Sequence, residues 1–328
     1  MKHLELCQFV PDSKKGHYES YFVRANHPNK PHAFWVRYTI FSPEGSNNES
    51  VGEIWAMYFN GESNEVVAVQ ETFPINQCQF SGNKYDFRVG ENVLTKGHLS
   101  GAATLNGHSI SWLLNYSGDD SSILLLPDKL YSTTLPKAKS LVTTPNILFD
   151  GDLIIDGQKL LVDGWQGSEN HNWGRKHTDQ YAWGQVAGFD NNSDAFLECS
   201  TARIKVGPIW SPWMTIAVLV VNGHRYRFNS ILCSLKAKAK YDYFDWNFKT
   251  SNGQETLVVN ISANKANFAG LSYKNPPKGS HTCLNSKIGS CTVQLTDKFG
   301  NVISLITDNR AAFEILTDES NHGVNIVN

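Results

Sequence analysis

Short stretches of alternating apolar and polar residues, separated by turn dipeptides, follow one another along almost the whole chain. Residues 33–41 (AFWVRYTIF) and 53–60 (EIWAMYFN) are typical of strands, and Asn106-Gly107 is typical of a tight hairpin turn. No segment has the apolar period of a long amphipathic helix. Many short strands at regular spacing therefore predict an all-β protein built from antiparallel barrels or sandwiches.

The length of the chain indicates more than one domain. At 328 residues it exceeds what a single hydrophobic core usually supports. Residues 123–146 contain several prolines and fit no regular element, so we interpret them as the connection that leaves the first domain. The expected domains are residues 1–146 and residues 147–328. The two halves also share the layout of their tryptophans, which is consistent with a duplicated β unit.

Charge and apolar content argue against several classes of protein. The formal net charge is −2 and the pI is about 6.6, whereas a nucleic-acid-binding protein needs a basic face. No apolar run is long enough to span a bilayer, and the N-terminus has no secretion-signal pattern, so a cytoplasmic protein is expected. Reduced thiols are then expected, although Cys283 and Cys291 could meet across a hairpin. The sequence leaves homo-oligomerisation open.

Residues 164–190 concentrate tryptophan, histidine and glycine in one short stretch. In its second half, a period of two places Tyr181, Trp183 and Gln185 on one face of a strand, with small residues on the other face. The bulky face is typical of the wall of an apolar cavity, where Gln185 would supply an orienting hydrogen bond. The small face would let another segment approach closely. The alternative is that these tryptophans simply fill a β core.

The motifs of common enzyme classes are absent from the sequence. It has no phosphate-binding glycine loop, no dinucleotide fingerprint, no nucleophile elbow and no zinc-protease motif. His171 and His177 lie near Glu169 and Asp179, but a metal site needs convergent donors on one side, and His177 falls in a polar turn. Neither a metal nor a cofactor is therefore expected.

A buried carboxyl remains as a source of chemistry. A carboxyl enclosed by Trp and Tyr loses solvation, so its pKa rises, and at neutral pH it can protonate an alkene or a carbonyl. Aromatic faces then stabilise the resulting cation. The candidates are Glu169, Glu198 and Glu19. The alternative for each is a surface or interface carboxylate paired with an arginine, and for Glu19 we favour pairing with Arg24 or Arg37.

A short pattern gives the chain a family resemblance. Asn172, Trp173 and Gly174, followed by Trp183 and Gln185, resemble the signature of a lipocalin-like two-domain superfamily. This superfamily includes carotenoid hydratase (hydroxyneurosporene synthase), tocopherol cyclase, the AttH-like proteins and fungal lipocalin-like Diels–Alderases. The resemblance implies two calycin- or lipocalin-like antiparallel β barrels or sandwiches packed side by side, with a ligand cavity near their junction.

One position departs from the family pattern. In the hydratase and cyclase members, the residue two places before Asn172 is typically acidic and is thought to donate a proton, but here it is Asn170. Glu169 and His171 flank it, and a period of two points them to the opposite face. This favours a relative that folds a reactive substrate into one shape, or one that uses another acid. Glu198 is the leading candidate, because strand pairing would bring it toward the pocket.

These observations predict a cofactor-independent cyclase that acts on an apolar, aromatic or isoprenoid natural-product intermediate. The alternatives are a hydratase of a polyene and a non-catalytic carrier of a hydrophobic small molecule. Trp173, Trp183 and Gln185 should line one cavity together with side chains from the first half of the chain. The candidate catalytic residues are Glu198, Glu169 and His171. The candidate substrate-binding residues are Trp35, Trp55, Trp165, Asn170, Asn172, Trp173, Tyr181, Trp183 and Gln185.

Overall fold

The computed structural model describes residues 4–11, 13–45, 49–118 and 121–327, and almost all of its pairing is antiparallel. The first sheet contains β1 (Lys15–Asn26), β2 (His32–Glu44), β3 (Val51–Asn60), β4 (Glu65–Pro74), β5 (Cys78–Phe80), β6 (Asp86–Val89), β7 (Asn92–Thr95), β8 (His98–Leu105), β9 (His108–Ser117), β10 (Ile123–Leu124), β11 (Ala138–Ile155) and β12 (Gln158–Gly174).

The second sheet and its connections follow in the chain. Its strands are β13 (Gln180–Phe189), β14 (Asn192–Arg203), β17 (Met214–Val221), β18 (His224–Phe228), β19 (Lys238–Tyr241), β20 (Asp245–Ser251), β21 (Thr256–Ser262), β22 (Ala269–Lys274), β23 (Ser280–Thr296) and β24 (Val302–Thr317). A separate hairpin is formed by β15 (Lys205–Val206) and β16 (Ile209–Trp210), and one short helix, α1 (Ile231–Lys236), follows β18. Short 3-10 turns occupy Ile75–Gln77, Asp128–Ser132 and Lys265–Asn267.

The two sheets repeat one topology. Their strand orders are β4-β3-β2-β1-β12-β11-β9-β8-β7-β6-β5 and β18-β17-β14-β13-β24-β23-β21-β20-β19. In each sheet the first strands form a meander, and the later strands continue the sheet on the other side of the first strand. The last strand pairs with the first, β12 with β1 and β24 with β13. The all-β class and the paired β units expected from the sequence are confirmed.

Tight turns occur where the sequence places asparagine before glycine. Asn106 and Gly107, between β8 and β9, have φ values of 52° and 86°, and Asn222 and Gly223, between β17 and β18, have 53° and 72°. A two-residue turn with two positive φ angles matches the twist of the strands it joins. The hairpin predicted at Asn106-Gly107 is confirmed.

The sheets divide at a different place from the expected domain boundary. Strand β11 runs through residues 146 and 147, and β12 pairs with β1, so the first sheet extends to Gly174. The expected boundary is therefore wrong, and residues 175–179 connect the two sheets. Pro145 obscured this strand in the sequence. The ladder tolerates it because the register of β11 against β12 shifts between Thr144 and Ile147, where a missing N–H breaks no regular pair.

Each sheet wraps around its own hydrophobic core, and we call each sheet with its core a barrel. In the first, Trp165 packs against Phe34 at a ring-centroid distance of 5.9 Å and is 1% exposed. In the second, Trp246 packs over the strand that carries Gly184, where an added Cβ would lie 2.4 Å from Ile261 Cδ1. The small face of β13 thus admits large side chains of this core, as predicted. A third apolar cluster lies between the two sheets.

The inner face of the first sheet also carries a buried acid, Glu19. Its carboxylate accepts hydrogen bonds from His17 Nε2 at 2.7 Å, Tyr21 Oη at 2.6 Å, His171 Nε2 at 2.8 Å and the backbone N–H of Gln8 at 2.8 Å. Burial opposes ionisation, but the hydrogen bonds from the two histidines hold the pKa of Glu19 below its ordinary value.

The expected pairing of Glu19 with Arg24 or Arg37 is wrong. Alternation along β1 sends Glu19 to the inner face and Arg24 to the outer face, where Arg37 of β2 also lies. Glu19 instead ties the segment around Gln8 to the first barrel.

We expect Glu19→Gln to lower the free energy of unfolding by about 3 kcal/mol at neutral pH, because the histidines lose their buried anionic partner. A carboxyl with a lowered pKa stabilises the fold above its unfolded value of about 4.3, and this contribution disappears as the pH falls toward the folded value. The difference between the variant and the parent should therefore shrink below about pH 4. Urea denaturation from pH 3 to 8 measures it, with the exposed Glu91→Gln as control. Equal stability of both variants at pH 7 would contradict the assignment.

Candidate active site

A cavity of about 410 Å³ lies between the outer faces of the two sheets, and we call it the interface cavity. Strands β1, β2 and β12 supply one wall, and β13, β14 and β17 supply the other. The segment 125–141 closes one side with mostly apolar residues. The aromatic lining consists of Tyr18, Phe22, Trp35, Tyr181, Trp183 and Tyr273.

Strand alternation decides which side chains reach the interface cavity. On β13, Tyr181 and Trp183 face the cavity, whereas Ala182 and Val186 belong to the second core. Because large rings and small residues alternate on this strand, one face forms a wall and the other lets the core pack closely. The division of faces predicted for this strand is the one observed.

Gln185 lies fully buried behind the cavity wall, at the centre of a polar network. Its amide oxygen accepts hydrogen bonds from Arg24 Nε at 2.7 Å and Ser168 Oγ at 2.6 Å. Its amide nitrogen donates to Asn170 Oδ1 and to Glu198 Oε2, both at 2.7 Å. A guanidinium can only donate, so the amide oxygen must face Arg24 and the NH₂ group must face Glu198. The buried guanidinium of Arg24 therefore fixes the orientation of the Gln185 amide and directs its NH₂ group to Glu198.

Glu198 is a buried carboxyl with one donor on each oxygen. Trp183 Nε1 donates to Oε1 at 2.8 Å, and Gln185 donates to Oε2. Burial raises the pKa of Glu198 to about 7, although these two hydrogen bonds and the charge of Arg24 oppose the shift. Both protonation states of Glu198 are therefore populated near neutral pH. A catalytic proton donor needs this, because it must be reprotonated after each turnover.

A second carboxyl, Glu314 of β24, also lines the cavity, but it is neutralised by a buried lysine. Lys287 Nζ lies 2.7 Å from Glu314 Oε1 and within 5.7 and 5.5 Å of the ring centroids of Trp35 and Trp183. Burial lowers the pKa of Lys287, and the charge of Glu314 opposes this shift. Lys287 thus makes cation–π contacts with both indole rings.

The structure brings several predicted residues to the interface cavity. Asn170 and Asn172 line it from β12, and Trp35 lines it from β2. Trp55 lies on the same outer face, but it packs edge-on against Tyr273 at 6.3 Å and lines a small adjoining void.

Four other predicted residues lie away from the cavity. Trp165 belongs to the first core, and Glu169, His171 and Trp173 point from β12 into the first barrel. The prediction that Trp173, Trp183 and Gln185 line one cavity holds only for Trp183. Gln185 is fully buried behind Glu198, and the alternation that exposes Asn170 and Asn172 to the cavity turns Trp173 to the opposite face. Trp173 instead stacks on His171 at 4.4 Å and packs against Leu124 and Leu141.

The sequence left open that Glu169 is a surface carboxylate paired with an arginine, and the structure places it elsewhere. It is 2% exposed and accepts hydrogen bonds from the hydroxyls of Tyr116, Thr143 and Thr144. These contacts place it within the first barrel, so neither it nor His171 can touch a ligand in the interface cavity.

His177 and Arg37 are cavity residues that were not predicted as site residues. His177 lies in the connection between β12 and β13, where its ring stacks on Tyr18 at 3.8 Å. Burial holds the pKa of His177 well below its ordinary value, so the ring is neutral at pH 7. The turn-like sequence around His177 gave no sign of this, since stacking depends on how β1 and β22 approach the connection.

The cysteines and the grouping of possible metal ligands can be read directly from the structure. All six cysteines are free, and Cys283 and Cys291 lie on one continuous strand, β23, so they cannot meet across a hairpin. Within residues 4–11, 13–45, 49–118 and 121–327, no three His, Cys, Asp or Glu side chains are grouped as metal ligands would be. Over the same residues, no helix has the length and apolar character needed to cross a membrane.

Comparisons with known proteins identify the fold. No family model matches the chain, and no curated protein matches it in sequence. An AttH-like protein from Nitrosomonas europaea is similar in structure, with a TM-score of 0.61 and 10% identity over 95% of this chain and 96% of that one. Kievitone hydratase from Nectria haematococca has a TM-score of 0.57 and 13% identity over 97% and 93%.

The protein CghA has a TM-score of 0.57 and 11% identity over 96% of this chain and 97% of its own. CghA has also been solved with Sch210972, and that structure is similar at a TM-score of 0.56. Each similarity spans nearly the whole of both chains. The lipocalin-like two-domain fold implied by the sequence resemblance is therefore confirmed.

Proposed function

We propose that this protein is a cofactor-independent cyclase that acts on an apolar, aromatic or isoprenoid intermediate held in the interface cavity. The observation that carries the proposal is Glu198, a carboxyl with a pKa of about 7 in an aromatic-lined cavity. The likeness to kievitone hydratase, an enzyme by its name, supports catalysis rather than simple carriage.

The reaction begins with proton transfer from Glu198 to a carbon–carbon double bond or a carbonyl of the substrate. A second double bond or a hydroxyl of the same molecule then attacks the cationic carbon, and a ring closes. A proton lost from the ring system returns to the Glu198 carboxylate, so the product is an isomer of the substrate. Trp183 and Gln185 donate hydrogen bonds to that carboxylate and stabilise it while the proton is away.

The cavity walls supply positioning and electrostatics. The aromatic faces of Phe22, Trp35 and Trp183 attract a carbocation through their quadrupoles. A volume of about 410 Å³ is within the usual range for small-molecule sites, so a substrate that fills it is held in few conformations. Holding the reacting carbons at near-attack distance lowers the barrier by several kcal/mol in favourable cases.

A hydratase is the second candidate, and one observation favours it: the structural similarity to kievitone hydratase. Here the same acid protonates an alkene, and water instead of an internal group attacks the cation. A non-catalytic carrier would need the cavity but not a titrating carboxyl.

Incubation with a panel of linear polyenes and prenylated phenols, followed by mass spectrometry, separates these functions. A product of unchanged mass and altered retention supports cyclisation. A product heavier by one water supports hydration. Binding without any product supports carriage and would overturn the proposal.

The pH dependence of turnover tests the role of Glu198. The protonated carboxyl is the active form, so turnover should fall as the pH rises through about 7, approaching tenfold per unit above about pH 8. A rate that increases over this range would instead indicate a general base and would contradict the proposed direction of proton transfer.

A further inference from the structure

A row of hydrogen-bond donors without partners lies on β2, toward the interface cavity and the small void beside it. Among the described residues, Trp35 Nε1, Arg37 Nε and Thr39 Oγ1 are buried and have no hydrogen-bond partner. Trp35 and Arg37 line the cavity, and Thr39 faces the small adjoining void that Arg37 also lines. Ser20, which pairs with Thr39 on the neighbouring strand, has an unpartnered hydroxyl as well. Buried polar groups normally find partners, so this row indicates an acceptor that is not part of the protein.

Arg37 is the charged member of the row. Its side chain is only 7% exposed, and its guanidinium lies 4.5 Å from the ring centroid of Tyr273 and 6.0 Å from that of Trp35. Within the described part of the chain it forms no ion pair; Glu53, which lines the small adjoining void with it, is paired with Lys274 at 2.8 Å. A buried cation supported only by aromatic rings is costly.

The other charges around the cavity do not supply the missing anion. Arg24 donates to Gln185, Asn26 and a backbone carbonyl, all neutral acceptors. Lys287 is neutralised by Glu314. When Glu198 is protonated, the guanidinium groups of Arg24 and Arg37 therefore have no carboxylate as an ion-pair partner among the described residues.

We propose that the Arg37 end of the interface cavity binds an acidic oxygen group of the substrate, a carboxylate or an enolate. The substrate is then an amphiphile with an acidic head and an apolar body. A guanidinium offers two parallel N–H donors to such a group, and the N–H of Trp35, which lines the same cavity, adds another. The inference rests on the proposed function, since it places the head of the same ligand.

Strand register relates this head site to the acid. Arg37 on β2 lies opposite Phe22 on β1, and Phe22 lies opposite Asn170 on β12. Gln185 donates hydrogen bonds to both Asn170 and Glu198. Two strand spacings separate Arg37 from Asn170, about 10 Å. A head bound at Arg37 therefore lays the apolar body across Phe22 and presents a carbon remote from the head to Glu198.

The test uses trans-retinoic acid and its methyl ester, which share a conjugated apolar body and differ in the charge of the head. Quenching of tryptophan fluorescence reports their binding. The parent protein should bind the acid about 10- to 100-fold more tightly than the ester. Arg37→Met should abolish this preference by weakening binding of the acid, and the ester should lose far less affinity, so that its continued binding shows that the cavity is intact. Arg37→Lys should retain part of the preference, since it keeps the charge but loses the fork.

Arg203→Met is the matched control. Arg203 also lines the cavity, but its guanidinium is stacked against Trp210 and Trp213 and donates to Gln180. Its loss should leave the preference for the acid in place. The proposal is overturned if the parent protein binds acid and ester equally, if it binds neither, if Arg37→Met keeps the preference, or if Arg203→Met loses it to the same extent. Glu198→Gln should keep the preference, so a failure of head recognition is distinguishable from a failure of catalysis.

Discussion

Replacing Glu198 with glutamine should lower turnover by about 10²- to 10⁴-fold and leave ligand affinity nearly unchanged, as expected for loss of a general acid. Glutamine keeps the shape of the side chain and can still accept from Trp183 Nε1, but it carries no transferable proton. Turnover is measured on whichever polyene or prenylated phenol the parent protein converts. Carboxyl carbon NMR of glutamate-labelled protein gives a second readout that needs no substrate: a resonance that titrates near pH 7 should be absent from the variant.

The matched control is Glu169→Gln, a buried glutamate that faces the first barrel. It should reduce stability but leave turnover per folded molecule unchanged. If Glu198→Gln is fully active while Trp183→Ala is inactive, the cavity acts by shape alone. A pericyclic or templated cyclisation would then replace acid catalysis as the mechanism.

Replacing Gln185 with leucine should destabilise the fold by about 3 to 5 kcal/mol, because one side chain serves four buried polar partners. Arg24 Nε, the Ser168 hydroxyl, Asn170 Oδ1 and Glu198 Oε2 would each lose the hydrogen bond that Gln185 makes with it. The hydrogen bond from Gln185 lowers the pKa of Glu198, so its loss should also raise that pKa further.

Chemical denaturation measures the first effect, and the pH profile of turnover measures the second, which should move to higher pH. Gln294→Leu, on the exposed face of β23, is the control and should change stability by less than about 0.5 kcal/mol. A Gln185→Leu protein as stable as the control would mean that the network around Glu198 is not the rigid unit that the hydrogen bonds describe.

Local patterns in the sequence were sufficient for the strands and for one wall of the cavity. The alternation at residues 181–186 places Tyr181 and Trp183 correctly because a period of two follows from strand geometry alone. Glu198 was identified because the next strand in a meander usually pairs with the preceding one, and here it lies directly opposite Gln185. Both inferences used only neighbouring strands.

Features that depend on distant strands were missed. Arg37 and His177 acquire their roles through Tyr273 and Tyr18, and Lys287 acquires its role through Glu314, and no local pattern specifies these pairs. The domain boundary failed for a related reason. Prolines and turn-like residues indicated a linker, but a bulge absorbs Pro145, and pairing with β9 and β12 keeps β11 in the first sheet.

The ligand cavity lies between the outer faces of the two barrels, and each barrel is filled by its own core. Most residues that fill the cores are therefore different from those that would contact a ligand. On β1, β2, β13 and β14 these two groups occupy alternate positions. Directed evolution confined to the residues of those strands that line the cavity, with Gln185 and Arg24 kept, can therefore reshape the ligand site without leaving a void in either barrel. Such libraries should lose little thermal stability, which makes the architecture a suitable scaffold for engineered biocatalysts.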